Sequence, residues 1–192
     1  MQANTDTVTT VSRARSPDAG YAVADCRERI ALADGRRVIL CPVDPKDASA
    51  EQEFVDALSP NSRYRRFHFG MRSLPEQLLR EMTEIDHRQH VAMVARPDSG
   101  ADVIVADARY VRTADTDEAE FAVMVADAWQ GAGLGRELLQ RLARHAHASG
   151  VRRLYGDVLW GNEPMIGLVR ALGGGLARHP TDATLVRAEF TT

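Results

Sequence analysis

The sequence predicts a mixed α/β fold, a mostly antiparallel central sheet flanked by helices, and three observations predict it. HVAMVAR, ADVIVADARYVR and EAEFAVMVAD are consecutive Val- and Ala-rich runs joined by turn residues, which reads as an antiparallel meander. Downstream, Leu134, Leu138 and Leu142 fall four apart, with Leu139, Ala143 and Ala146 beside them, the stripe of an amphipathic helix. Beyond that helix the order is strand, helix, strand, strand, which completes one mixed sheet.

The elements follow in chain order. MQANTDTVTTVSRARSPDAG has no apolar stretch, so residues 1–20 are expected to form a disordered tail and not a signal peptide. Residues 21–192 are then a single domain, a length that supports one proper core. RERIAL and RRVILCPV flank Asp34-Gly35, a two-residue hairpin turn. In DPKDASAEQEFVDALS, Asp44 caps a helix with Pro45 at its first position, and Phe54, Val55 and Leu58 form its stripe. Pro60 opens a second helix, NSRYRRFHFG, closed by Gly70. On it Tyr64, Phe67 and Phe69 are expected in the core, with Arg63, Arg65 and Arg66 on the solvated side. PEQLLREMTEI is a third short helix. His87 and His90 lie at the helix-to-strand junction and read as loop residues, while His145 and His147, two apart on a helix, read as surface. After the helix that Gly150 stops, RRLYGDVLW is a strand. NEPMIGLVRALGG is a helix with Asn162 as cap, and GLARHP and ATLVRAEF are the last two strands.

Composition excludes several classes. A formal net charge of −3 argues against a general nucleic-acid binder. There is no run of about 18 apolar residues to span a membrane. Cys26 and Cys41 match no metal spacing and make no disulfide framework, so no metal and a reducing, cytoplasmic setting are expected.

Between the meander and the Leu-striped helix lies Gln130-Gly131-Ala132-Gly133-Leu134-Gly135-Arg136. Bare backbone at a helix start reads either as a tight turn or as a seat for phosphate. The sixth place counted from Gly131 is Arg136, so the dinucleotide fingerprint fails, and no lysine is present for a Walker loop. Gln130, Gly133 and Gly135 fill an Arg/Gln-x-x-Gly-x-Gly/Ala pattern. With the Asn162-x-x-Met165-x-x-Leu168 helix, Gly173-Gly174 and the element order from about Arg36 to Phe190, the chain resembles the GNAT superfamily of N-acetyltransferases. LSPNSRYRRFHFG, Ile85-Asp86-His87-Arg88-Gln89-His90-Val91-Ala92 and AEFAVMV further resemble the acetyltransferase domain of Pat-type protein lysine acetyltransferases. Those proteins usually carry an added regulatory domain, for which this chain has no room.

The resemblance implies acetyl-CoA as cosubstrate, its pyrophosphate on the N–H groups of Gln130 to Arg136 and its pantetheine arm along Met124 and Val125. It implies a backbone N–H near Val125 for the oxyanion, and contacts from Asn162 and Met165. Asn162 reads equally as a plain cap, and Arg136 as a solvated helix residue. Glu120 matches the general base of the Pat-type domains; on the residues alone it is either that base or a strand surface carboxylate. Val169 stands where many relatives carry a tyrosine acid, and Tyr155 is a weak substitute. Trp129 is expected to pack under the loop. The expected function is acetyl transfer from acetyl-CoA to a primary amine, a protein lysine first. The alternatives are a small-molecule amine or a non-catalytic acetyl-CoA sensor. The sequence fixes no oligomeric state.

Overall fold

The computed structural model describes residues 27–192, so the expected tail and Cys26 lie outside the described residues. The chain runs β1 (Glu28–Ala31), β2 (Arg37–Pro42), α1 (Ala48–Ala57), α2 (Pro60–Phe67), α3 (Glu76–Thr83), β3 (His90–Pro97), β4 (Ala106–Arg112), β5 (Glu118–Val125), α4 (Leu134–Ala148), β6 (Arg153–Leu159), α5 (Glu163–Ala171), β7 (Gly175–Arg178) and β8 (Leu185–Thr191). The strands form one eight-stranded sheet in the order β1-β2-β3-β4-β5-β6-β8-β7. The β3–β4–β5 meander is antiparallel as expected, and β5 pairs with β6 in parallel.

Each face of the sheet has its own cover. Leu134, Leu138, Leu139, Leu142 and Ala146 of α4 are buried against Ala106, Ala108, Tyr110, Ala119 and Phe121. The opposite face carries Val43, Phe54, Val55, Leu58 and Met82 against Ala92, Val94 and Met124.

Six local expectations are corrected. Asp44 caps a 3-10 turn over Pro45–Asp47, which then feeds α1. The strand expected from ADVIVADARYVR begins only at Ala106. His68, in the left-handed region at φ 59°, closes α2 instead of Gly70. Of the expected stripe of α2 only Phe67 packs against the core: Tyr64 and Phe69 are 47 % and 51 % exposed, while Arg63 and Arg66 turn inward. The cause is the end of α1, whose last carbonyls have no helical partner. Arg63 Nη1 donates to the carbonyls of Val55, Asp56 and Leu58 at 3.3, 2.9 and 2.5 Å. A cation at a helix C-terminus also complements its dipole. His145 is half-buried, its Nδ1 3.0 Å from the Tyr110 hydroxyl, whereas His147 is exposed as expected. His90 is the first residue of β3 and not a loop residue.

Candidate active site

The sheet opens between β5 and β6. Their pairing covers Glu118 to Glu120 against Arg153 to Tyr155 and stops there, although β5 runs on to Val125 and β6 to Leu159. Gly156 is the first residue beyond the last pair. A Cβ there would stand 2.8 Å from the Phe121 carbonyl oxygen, so glycine is what lets the two backbones pass this closely where their pairing ends. The opening is a cleft of about 660 Å³. The β6-facing edge of Phe121–Val125 has no strand partner along it.

Most of the expected site residues meet on this cleft. Glu120, Met124 and Val125 line it from β5; Gln130, Gly131, Gly133, Leu134, Gly135 and Arg136 from the loop and α4; Asn162 and Met165 from the start of α5. Ala132 does not. Its side chain is buried in the core and its carbonyl accepts Ala33 N–H at 3.3 Å.

The loop's backbone accounts for two glycines. Gly131 and Gly133 have φ of 76° and 89°, a region costly to other residues. Gly135 has no such φ, and a Cβ there would make only ordinary contacts, 3.6 Å to Leu168 and 3.7 Å to Val125. Neither strain nor packing requires glycine there; its effect is to leave the helix start bare on the cleft side. No side chain caps α4, so its first N–H groups have no side-chain acceptor. That arrangement fits a phosphate group. Trp129 is half-buried against the core beside the loop, as expected, with the Arg36 guanidinium 4.3 Å above its ring.

The side chains of the loop do other work. Gln130 Nε2 donates to the Val125 carbonyl at 3.0 Å and to Ser62 Oγ at 3.3 Å. Arg136 Nη2 reaches the Ala171 carbonyl at 3.4 Å. Asn162 Oδ1 accepts Met165 N–H at 3.4 Å, so it does cap α5. Glu120 is exposed and sits in register with Val111 on β4 and Tyr155 on β6. Tyr155 Oη lies 3.1 Å from Thr113 Oγ1.

A buried charge cluster beneath the cleft is absent from the sequence expectations. Asp107 and Arg109 lie opposite Met124 and Ala122, on the face that α1 covers with Glu51. Arg109 makes two bonds to Asp107 (Nε–Oδ1 2.9 Å, Nη2–Oδ2 2.5 Å) and one to the Met82 carbonyl at 3.1 Å. Glu51 Oε1 is 3.7 Å from Arg109 Nη2, and neither Glu51 oxygen has a hydrogen-bond partner. Burial and then the charge of Asp107 push the Glu51 carboxyl up to about 8. Arg66 borders the cleft, where burial and the neighbouring Arg109 charge lower it to about 10, opposed by Asp107, Glu120 and Glu51. Burial and Arg109 also push the His90 ring down to about 4. The one sequence signal was the alternation of Asp107 and Arg109 within a strand otherwise buried. Among the described residues no group of His, Cys, Asp or Glu could hold a metal, and no helix is long and apolar enough to cross a membrane.

The profile of the acetyltransferase (GNAT) family matches residues 54–173. The chain belongs to that family. It is an N-acetyltransferase, and acetyl-CoA is the acyl donor of GNAT enzymes. It is 33 % identical over 156 residues to an acetyltransferase of Pseudomonas aeruginosa, covering 81 % of this chain and 84 % of that one. It is 30 % identical over 156 residues to the acetyltransferase Pat of Mycolicibacterium smegmatis, covering 81 % of this chain but only 46 % of that one, so it spans about half of that relative. Among solved structures it is similar to the GNAT domain of Streptomyces lividans PAT, with a TM-score of 0.79 and 29 % identity over 86 % of this chain and 97 % of that one. The GNAT fold expected from the sequence is therefore the fold observed.

Proposed function

We propose that the chain acetylates lysine side chains of proteins and that Glu120 is its general base. The observation that carries this reading is the place of Glu120: exposed, at the last paired position of β5 and β6, where the cleft begins. The likeness to Pat proteins supports a lysine acceptor.

Acetyl-CoA, when bound, supplies an acetyl thioester that a neutral amine can attack. The N–H groups of Gln130 to Arg136 would hold its pyrophosphate, and the open edge of β5 through Met124 and Val125 would take its pantetheine arm in the manner of an added strand. Asn162 and Met165 would flank that arm from α5. A free lysine titrates near about 10.4, so at neutral pH its proton must leave first. The Glu120 carboxylate would accept that proton, directly or through a water. An N–H on the open β5 edge near Val125 would donate to the carbonyl oxygen as charge develops there. Val169 is buried and has no proton to give. A thiol of ordinary acidity, near about 8.5, can leave without a strong acid.

Glu120→Gln tests the assignment because it keeps size and removes the acceptor. Turnover on lysine peptides should fall roughly 10²–10⁴-fold while acetyl-CoA affinity by calorimetry stays within a few-fold of wild type. Normal turnover in a variant that binds acetyl-CoA normally would return Glu120 to a surface carboxylate. Mapping acetylated residues after incubation with labelled acetyl-CoA and lysate tests the acceptor: labelled lysines are expected, and labelled small amines alone would displace the protein reading.

A further inference from the structure

An eight-residue helix should be placed by the side chains it buries, yet α2 buries none. Its position depends on polar contacts. In its N-terminal half Arg63 fastens it to the last carbonyls of α1. The same half is held by Asp127, a residue of the 3-10 turn between β5 and the glycine loop. Asp127 Oδ2 accepts Ser59 N–H at 2.9 Å, and Oδ1 accepts the hydroxyls of Ser59 at 2.9 Å and Ser62 at 2.7 Å. Ser59 in turn caps α2, taking Ser62 N–H at 3.1 Å. A carboxylate at a helix N-terminus also meets the positive end of its dipole. These hydrogen bonds hold the Asp127 carboxyl below its ordinary value despite partial burial.

The same cluster reaches the proposed cofactor seat. Gln130 opens the glycine loop, and its amide nitrogen bridges Ser62 Oγ and the Val125 carbonyl. Three parts therefore meet at one point: the open end of β5, the start of the loop and the start of α2. The far end of α2 delivers Arg66, Phe67 and His68 to the same cleft that Glu120 lines. A shift of the loop or of the β5 end is passed to the start of α2 through Ser59 and Ser62, because the apolar anchor of the helix, Phe67, packs against the core only at its other end.

We propose that Asp127 is a positioning residue that couples the acetyl-CoA seat to α2, so that acetyl-CoA binding orders the helix bordering Glu120 before the acceptor arrives. This rests on the cleft reading above. By linkage, whatever acetyl-CoA gains for α2 an ordered α2 returns to acetyl-CoA. The direct probe is hydrogen exchange with acetyl-CoA alone, which needs no known acceptor. In wild type, acetyl-CoA should slow exchange in the loop at 130–136 and also in α2, there by about five-fold or more. Asp127→Ala should keep the loop protection and lose the α2 response. Asp127→Asn keeps one acceptor oxygen and should restore part of it. Ser62→Ala combined with Asp127→Ala should add little to either alone. An Asp127 with a merely structural role would loosen α2 equally with and without acetyl-CoA. An α2 that ignores acetyl-CoA in wild type, or a full response surviving in Asp127→Ala, overturns the coupling. Absence of protection in the loop itself overturns the cleft reading, and the coupling with it.

Discussion

On one face of the sheet α4 lies across β4 and β5, and the groups between them are alanines, leucines, Phe121 and one tyrosine. On the other face the same two strands carry Asp107, Arg109 and the exposed Glu120, and α1 answers with a buried glutamate. Both faces bury side chains of these strands. Removing methylenes from the first leaves a cavity whose size sets the cost. Removing one ion from the second leaves another ion stranded, and the stranded ion sets the cost. The charged face is also the one that borders the cleft, through Arg66. An apolar scaffold thus backs the sheet, while the ionic layer lies beside the cleft that Glu120 lines. A buried ion group replaced whole by apolar residues is often no less stable, so stability alone does not account for it.

The largest effect is expected where that difference is attacked directly. Arg109→Met removes the cation that bonds Asp107 twice and lies nearest Glu51. It should cost about 3–5 kcal/mol in urea unfolding, the range for breaking a buried pair. Replacing the group together, as Glu51→Leu with Asp107→Val and Arg109→Met, should cost less than the single change. A triple variant less stable than the single would mean that the charges stabilise the sheet in their own right, and the contrast between the faces would fail.

The apolar face supplies the matching measurement. Leu138 is fully buried among the residues of the α4 face. Leu138→Ala should cost about 2–5 kcal/mol, close to equal at pH 5 and pH 9, because the buried side chains of that cluster are apolar apart from Tyr110, whose hydroxyl burial pushes above its ordinary value. A strong pH dependence would show the two faces to be electrostatically joined.

The faces also differed in legibility. Leucines four apart, a glycine-rich helix start and a Pro-led helix with an asparagine cap are local signals, and the α4 face, the loop and α5 all followed from them. Asp107 and Arg109 had no such signal. A strand charge reads as solvent-facing unless its partner is known, and Glu51 arrives from α1, far earlier in the chain. The aromatic stripe of α2 failed for a related reason: polar partners at the end of α1 and at Asp127 outweighed its apolar preference. The place of Glu120 was half legible. Alternation along EAEFAVMV gave its face, but where the pairing of β5 with β6 ends is set across the sheet, between residues far apart in sequence.

The smallest effect sharpens the comparison through pH. The carboxyl of Glu51 is pushed from its ordinary 4.5 to about 8 by burial first, then by Asp107, with Asp47 adding and Arg109 and Arg66 opposing. Between those values the folded chain keeps a proton that the unfolded chain has released, so Glu51 makes stability fall as pH rises through that window. His90 acts with the opposite sign. Its ring is lowered from 6.5 to about 4, so between those values the folded chain lacks a proton that the unfolded chain holds, and stability rises with pH. Wild type alone therefore shows a flattened profile, and Glu51→Gln separates the two. Near pH 5 both side chains at this position are neutral in the fold, and the variant should lie within about 1 kcal/mol of wild type, the scale of one exchanged hydrogen bond. By pH 9 wild type carries an ionised or costly protonated carboxyl and the variant does not, so the urea midpoint of Glu51→Gln should exceed that of wild type. A difference that does not change between pH 5 and pH 9 would show that Glu51 is ionised in the fold throughout, paired with Arg109 closely enough to offset its burial.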